Sequence, residues 1–241
     1  MKTLVFDTGP LITLTLNNLL WVLDPMKERF KGEFVVPVKV KQELIDNPLR
    51  SKKYKLEALQ ILPYFNRNIL KIFRHLELEK KTQEIIDLAD NTFSAKGNYI
   101  KVVHEADVQV IASAIILNAD AAVIDEYTAR YLVENPMKIA KRMERKLHTN
   151  VSVNRENLQK LKNMMKGLKV LRSLEIIAIA YELGFLDRYL FEGEKRFVKR
   201  PKRTLLEAAL WGIKLNGCSV SEKEIEEIMN LEEDLLIGAK V

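Results

Sequence analysis

The sequence predicts an α/β fold built on a mostly parallel sheet, with a helical extension after it. Two observations carry that prediction. Short, almost wholly apolar runs at 3–7, 34–36 and 121–124 alternate with longer helical patterns, as in sheets whose strands are covered on both faces. Prolines then mark the boundaries, at Pro10, Pro37, Pro48 and Pro136, where a missing N–H is tolerated in a first helical turn or ends a helix.

Thr3 to Asp7 reads as a buried strand ending on a carboxylate, and Thr8-Gly9-Pro10 as a turn. Leu11 to Leu23 is a strongly apolar helix, closed by Asp24-Pro25. Phe34-Val35-Val36 is a second strand, and Pro37 opens a helix that Asn47-Pro48 ends. Helices are expected near 53–66 and 77–90, with a strand at 69–73 between them. A helix from His104 to Leu117 follows, then a strand at 121–124, helices at 127–134 and 136–147, and a strand at 151–153. After 154 the pattern turns helical, at 154–165, 172–183, 204–215 and 221–229. The chain is therefore read as a core over 1–153 and a helical extension over 154–241 packed on it, since no Gly/Ser-rich linker separates them.

Composition excludes several chemistries. No window approaches 18 apolar residues free of charge, and the amino terminus lacks a signal-peptide pattern, so a cytoplasmic protein with no membrane span is expected. A single cysteine, Cys218, rules out an intramolecular disulfide and any cysteine-cluster metal site. The three histidines, His75, His104 and His148, lack ligand spacing. There is neither a G-x-G-x-x-G nor a Walker A sequence. An aspartyl-phosphate mechanism on Asp7 would want a second acid two residues on, where Gly9 stands.

Four carboxylates stand out by position. Asp7 and Asp125 each follow a buried strand, and in open α/β sheets ligands sit beyond the carboxyl ends of strands. Asp107 occupies the first turn of a core-facing helical stripe, and Glu43 lies beside the apolar Val40 and Leu44. Any one of them could be an ordinary cap. Together they would repel one another and raise each other's pKa unless a cation offset the charge. An all-oxygen ligand set points to Mg²⁺ or Mn²⁺, and hence to phosphodiester chemistry, in which such an ion activates water and steadies the leaving oxygen. Glu126 is placed to support the set from outside.

These segments resemble the PIN-domain ribonucleases. The resemblance rests on Asp7-Thr8-Gly9-Pro10-Leu11, on Val36-Pro37 followed by Val40 and Glu43, on Glu105-Ala106-Asp107-Val108 opening an Ala- and Ile-rich helix, and on Ile124-Asp125-Glu126 with Ala129-Arg130. It covers about residues 1–153. The segment from Val170 to Glu175, with Ala180 to Gly184, is similar to the distal helical part of longer prokaryotic members. The resemblance implies a three-layer α/β/α fold, metal-dependent endonucleolytic cleavage of RNA, an antitoxin-like protein partner and a homodimer, the last in keeping with the apolar 11–23 stretch. The chain departs from the family in its length, in the long stretch between Glu43 and Asp107, and in Ile124, where a hydroxyl residue is usual. The alternative is an RNA- or protein-binding module on the same scaffold with little or no cleavage.

The charge is uneven. The net +6 conceals a basic middle, residues 138–203, with 18 basic against 7 acidic side chains, and an acidic end, 204–241, with 3 against 8. Such a stretch is a candidate polyanion surface. Lys195, Arg196, Lys199, Arg200, Lys202 and Arg203 are expected to hold RNA backbone on the side of the acids, with Phe197 among them. Lys141, Arg142, Arg145 and Lys146 form a second patch on a helix. Arg130 is expected near the acids, holding the scissile phosphate or pairing with Glu126 or Glu134.

Overall fold

The computed structural model describes residues 2–190 and 198–238. Its framework is a five-stranded sheet of β1 (Thr3–Phe6), β2 (Glu33–Pro37), β3 (Leu70–Phe73), β6 (Ala121–Val123) and β8 (Val170–Leu171), in the order β3-β2-β1-β6-β8, with every neighbouring pair parallel. Of the strands between β3 and β6, β4 (Phe93–Ala95) pairs with both β5 (Asn98–Tyr99) and β7 (Ser152–Val153) in a small antiparallel sheet.

Helices connect and flank these strands. They are α1 (Thr8–Leu16), α2 (Leu23–Phe30), α3 (Val38–Lys41), α4 (Asn47–Arg50), α5 (Lys55–Asn66), α6 (Leu78–Asp90) and α7 (Glu105–Leu117). After β6 come α8 (Tyr127–Glu134), α9 (Met137–Leu147), α10 (Arg155–Met164), α11 (Ser173–Glu182), α12 (Pro201–Leu215) and α13 (Glu222–Gly238). One group is α7, packed on α6 and against β1, β2 and β6; the other joins α1 to α5 and α11, with α12 on α11. Leu4, Val5 and Phe6 in β1, with Val36, Ile111, Val123 and Ile177, form the buried center between them.

The chain is thus α/β as expected, with four differences in detail. The apolar stretch 11–23 is not one helix. Asn18 takes a left-handed conformation, φ 54°, which ends α1 as Asn commonly does. A short 3₁₀ turn, Leu20–Val22, leads into α2. Pro25 falls in the first turn of α2, where its missing N–H costs nothing, so Asp24-Pro25 starts a helix instead of closing one. Leu11, Leu14, Leu20, Val22 and Leu23 are all buried in the chain's own core, so this stretch needs no second copy to cover it.

Asn47-Pro48 likewise does not stop the second helix. Residues Gln42–Asp46 widen into a π turn between α3 and α4. A proline clashes with the carbonyl four residues back, and the wider turn relieves that clash. Val151 to Val153 joins the small sheet through β4, not the main one. The β4–β5 hairpin turns on Lys96-Gly97, both with positive φ, 50° and 82°, the conformation a two-residue turn requires.

The fourth difference concerns the extension. β8 lies beyond residue 153, yet it pairs with β6 as an edge strand of the main sheet. Ala122 N–H donates to the Lys169 carbonyl at 2.9 Å, and Ile124 N–H to that of Leu171 at 2.8 Å. The helical segment expected there therefore also supplies part of the sheet.

Candidate functional site

The strand order reverses direction at β1: β2 and β3 lie to one side, β6 and β8 to the other. Outside the carboxyl ends of the strands at such a switch point, the connecting chains diverge and leave a crevice. The register fixes what faces it. Phe6 pairs with Val123, and Asp7 N–H donates to the Val123 carbonyl at 3.0 Å. Asp7 and Asp125 therefore emerge side by side. Gly9 sits between them: a Cβ there would lie 3.5 Å from both Asp125 Cβ and Asp7 Oδ2.

Asp7 also caps α1, its Oδ2 accepting from Gly9 N–H at 3.3 Å. Only 3% of the residue is exposed. Glu43 reaches the same place from the π turn, its Oε2 accepting from Thr8 Oγ1 at 2.7 Å. The start of α3 is tethered to α7 by Lys39 N–H, which donates to the buried Gln109 Oε1 at 2.9 Å. That tether draws the Glu43 turn toward the first turn of α7, where Asp107 lies. Glu126 caps α8, accepting from Ala129 N–H at 2.7 Å.

The electrostatics follow from this crowding. Burial pushes the Asp107 carboxyl up to about 7, with the charges of Glu126 and Glu43 adding to it and the His104 backbone N–H opposing. Asp7 rises further, to about 8, first from burial and then from the charges of Asp107 and Glu43, against the backbone N–H groups of Thr8 and Gly9. Both shifts run the same way, because burial and neighbouring negative charge each disfavour the ionised carboxylate.

Asp125 is different. Its Oδ1 accepts from Ser173 N–H and its Oδ2 from Ser173 Oγ, each at 2.7 Å. Burial raises its pKa, and the Ser173 hydrogen bonds, with lesser ones from Cys218 and Thr13, pull the other way. Each carboxylate oxygen has two lone pairs, so these four donors together can occupy the whole carboxylate. Cys218 is no nucleophile: burial and the Asp125 charge push its thiol up to about 12. His104 stands at the start of α7 but its side chain caps nothing.

The carboxylate oxygens would suit a hard divalent cation: Asp7, Glu43 and Asp107 share one crowded region with Glu126, and burial, with the charges of neighbouring acids, raises the pKa of Asp7 and of Asp107. Among the described residues, no three His, Cys, Asp or Glu side chains are already arranged to enclose an ion. An ion entering here would have to displace hydrogen-bond donors from Asp125 and compete with protonation of Asp7 and Asp107.

No family model, curated protein or solved structure matches this chain.

The basic residues divide. Lys195 and Arg196 lie outside the described residues, as does Phe197. Lys199 and Arg200 are exposed, and Lys202 pairs with Asp187 at 3.8 Å. Residues 201–203 belong to α12, three residues earlier than the sequence pattern indicated. The carboxyl end of α12 is the end beside the acids, since Asn216 O accepts from Thr13 Oγ1 and Ser219 N–H donates to the Asp125 carbonyl. Lys202 and Arg203 are at the other end of this 15-residue helix, roughly 18–20 Å along it. They do not border the acids. Of the roles expected for Arg130, the pairing with Glu134 is the one seen: the residue is 5% exposed, with Nε 3.8 Å from Glu134 and its guanidinium 4.4 Å from the Tyr131 ring center.

Sequence reasoning missed Ser173, Gln109 and the Thr8 hydroxyl. For Ser173 a signal existed: it starts a helix after a short apolar pair, in Arg172-Ser173-Leu174-Glu175, where Glu175 completes a capping box with Arg172. Nothing local shows that its partner would be Asp125.

Proposed function

We propose that the chain is a PIN-like, metal-dependent endoribonuclease, with a three-layer α/β/α core, that hydrolyses RNA phosphodiester bonds. One observation carries the reading: acids from four separate elements crowd the carboxyl edge of a parallel sheet at its switch point, and two of them are pushed to pKa values near neutrality. Structural carboxylates are normally paired with cations; crowded ones that raise each other's pKa mark functional sites.

Asp7, Asp107 and Glu43 would hold one or two Mg²⁺ or Mn²⁺ ions, with Asp125 joining them by giving up hydrogen bonds and Glu126 standing outside. The ion supplies activation of water and neutralisation of charge on phosphate oxygens. The chain's own residues do the rest. Thr8 and Gly9 orient Glu43 and Asp7, and Ser173 fixes the rotamer of Asp125.

The test compares wild type with Asp7→Asn and Asp107→Asn on mixed single-stranded RNAs, with Mg²⁺, with Mn²⁺ and with chelator. Cleavage should fall by orders of magnitude in both variants and vanish in chelator. Cleavage that persists in chelator, or is equal in all three proteins, refutes the reading.

The second reading, an RNA- or protein-binding module with little cleavage, is favored by one feature. Both oxygens of Asp125 are already engaged by Ser173, which leaves fewer oxygens free for an ion. Tight RNA binding without cleavage on any substrate would select it. An antitoxin-like partner and a homodimer follow from the PIN resemblance alone; co-purification and light scattering test them.

A further inference from the structure

An open cavity of about 830 Å³ lies between α8, α9, the end of α12 and the Cys218–Ser221 loop. That is within the size range of small-molecule sites and far larger than a single ion needs. The loop is held at Ser219, whose N–H donates to the Asp125 carbonyl and whose carbonyl accepts from Arg172.

The lining is strongly cationic, with Arg130, Arg142, Arg145, Lys146 and Lys214. Its one acid, Glu224, contributes no free charge. Arg172 binds one of its oxygens at 2.8 Å and Ser221 the other, and these contacts hold its pKa down to about 2 against burial. Lys214 is partly matched by Glu222 at 3.9 Å. Arg130 is the informative member. It is 5% exposed, and its Nε makes no hydrogen bond, with Glu134 at 3.8 Å its nearest acid. A buried guanidinium N–H without an acceptor costs free energy that an anionic ligand would recover.

The cavity also carries a stacking surface. Tyr127 and Tyr131 pair with ring centers 4.4 Å apart. The Arg142 guanidinium lies 4.0 Å from the Tyr127 ring center and that of Arg130 4.4 Å from Tyr131. Aromatic rings and guanidinium planes are the groups on which unpaired bases stack.

We propose that this cavity binds a nucleoside phosphate, the phosphate held by Arg130 and the α9 cations and the base stacked on the Tyr–Arg layers. Two sources share that chemistry: a free mononucleotide and the phosphorylated end of an RNA strand. The second source rests on the ribonuclease reading; the first does not.

Calorimetric titration of the full chain in chelator tests the site apart from any metal chemistry. The probes are AMP, adenosine, inorganic phosphate, and an oligoadenylate with a 5′-phosphate or a 5′-hydroxyl. AMP should bind at least tenfold tighter than adenosine and than phosphate. Arg142→Gln/Arg145→Gln, at exposed positions, should weaken AMP at least tenfold without altering the melting temperature by more than a few degrees. A 5′-phosphate preference on the oligomer at least as large as that for AMP over adenosine assigns the RNA end; none assigns the free nucleotide. Equal binding of AMP and adenosine, equal binding of AMP and inorganic phosphate, or an unchanged AMP affinity in the double variant overturns the proposal. Loss of the cleavage reading with AMP binding intact leaves the free-nucleotide site standing.

Discussion

Replacing Asp7 by Asn should stabilise the metal-free protein, and increasingly so as pH rises. The folded carboxyl holds its proton up to about pH 8, whereas in the unfolded chain it is lost near pH 4. The folded state thus binds more protons between those values, and stability is lost as pH rises through the window. At about 1.4 kcal/mol per pH unit, the gap between variant and wild type should widen by roughly 4 kcal/mol from pH 5 to pH 8. That is an upper bound, because Asp107, with a pKa of about 7, shares the repulsion. For a chain of this size it corresponds to a melting-temperature difference on the order of 10 °C. Asn keeps an oxygen to accept from Gly9 N–H, so the cap of α1 survives. The assay is thermal unfolding of both proteins in chelator at pH 5, 6, 7 and 8. A gap that stays constant or narrows with pH would refute the electrostatic account. In wild type, saturating Mg²⁺ or Mn²⁺ should restore much of the stability lost at pH 8, since the ion competes with the protons.

Ser173→Ala removes the hydroxyl that donates to buried Asp125 at 2.7 Å and should cost about 2 kcal/mol in urea unfolding; a cost near zero would mean the bond is made only when Asp125 has no other partner. Glu232, 7% exposed, is pushed up to about 7 by burial and by its contact with Glu182, so it favors the fold below pH 4.5 and loses that advantage as pH rises through 7. Glu232→Gln should therefore stabilise the protein at pH 8 but hardly at pH 4, read by chemical denaturation at both. Neutralising Lys199, Arg200, Lys202 and Arg203 together should lower RNA affinity and its salt dependence less than Arg142→Gln/Arg145→Gln does, because the first patch stands at the far end of α12; the opposite ranking in binding titrations from 50 to 200 mM salt would refute that placement.

The alternation of strands and helices was legible because its signals are local. Thr3–Phe6 and Ala121–Val123 are apolar on both faces, and Asp7 and Asp125 announce themselves as charges where such runs stop. Asp107 and Glu43 could be read from helical spacing in the same way. What escaped depends on contacts distant in sequence. β8 is two residues long, too short for any periodicity, and becomes a strand only because β6 offers an edge. The π turn at Gln42–Asp46 looked like a helix end because a proline usually is one. The Ser173–Asp125 lock spans 48 residues, and the cationic cavity joins residues 127–146 to 214–224. Neither leaves a pattern within any window that sequence reading scans.

The late position of β8 has a consequence for how the chain is made. Strand β6 is complete at Val123, but the strand that covers its free side arrives about fifty residues later. At the ~5–20 residues per second of ribosomal synthesis, that side waits on the order of seconds with its ladder of N–H and C=O groups unpaired. A fragment ended at 153 would keep that open ladder permanently, beside a buried Ala-Ala-Val run, and would be a template for pairing with its own copies. Soluble expression of the 1–153 segment should therefore depend on extending it past Leu171, whatever the fate of the helices that follow.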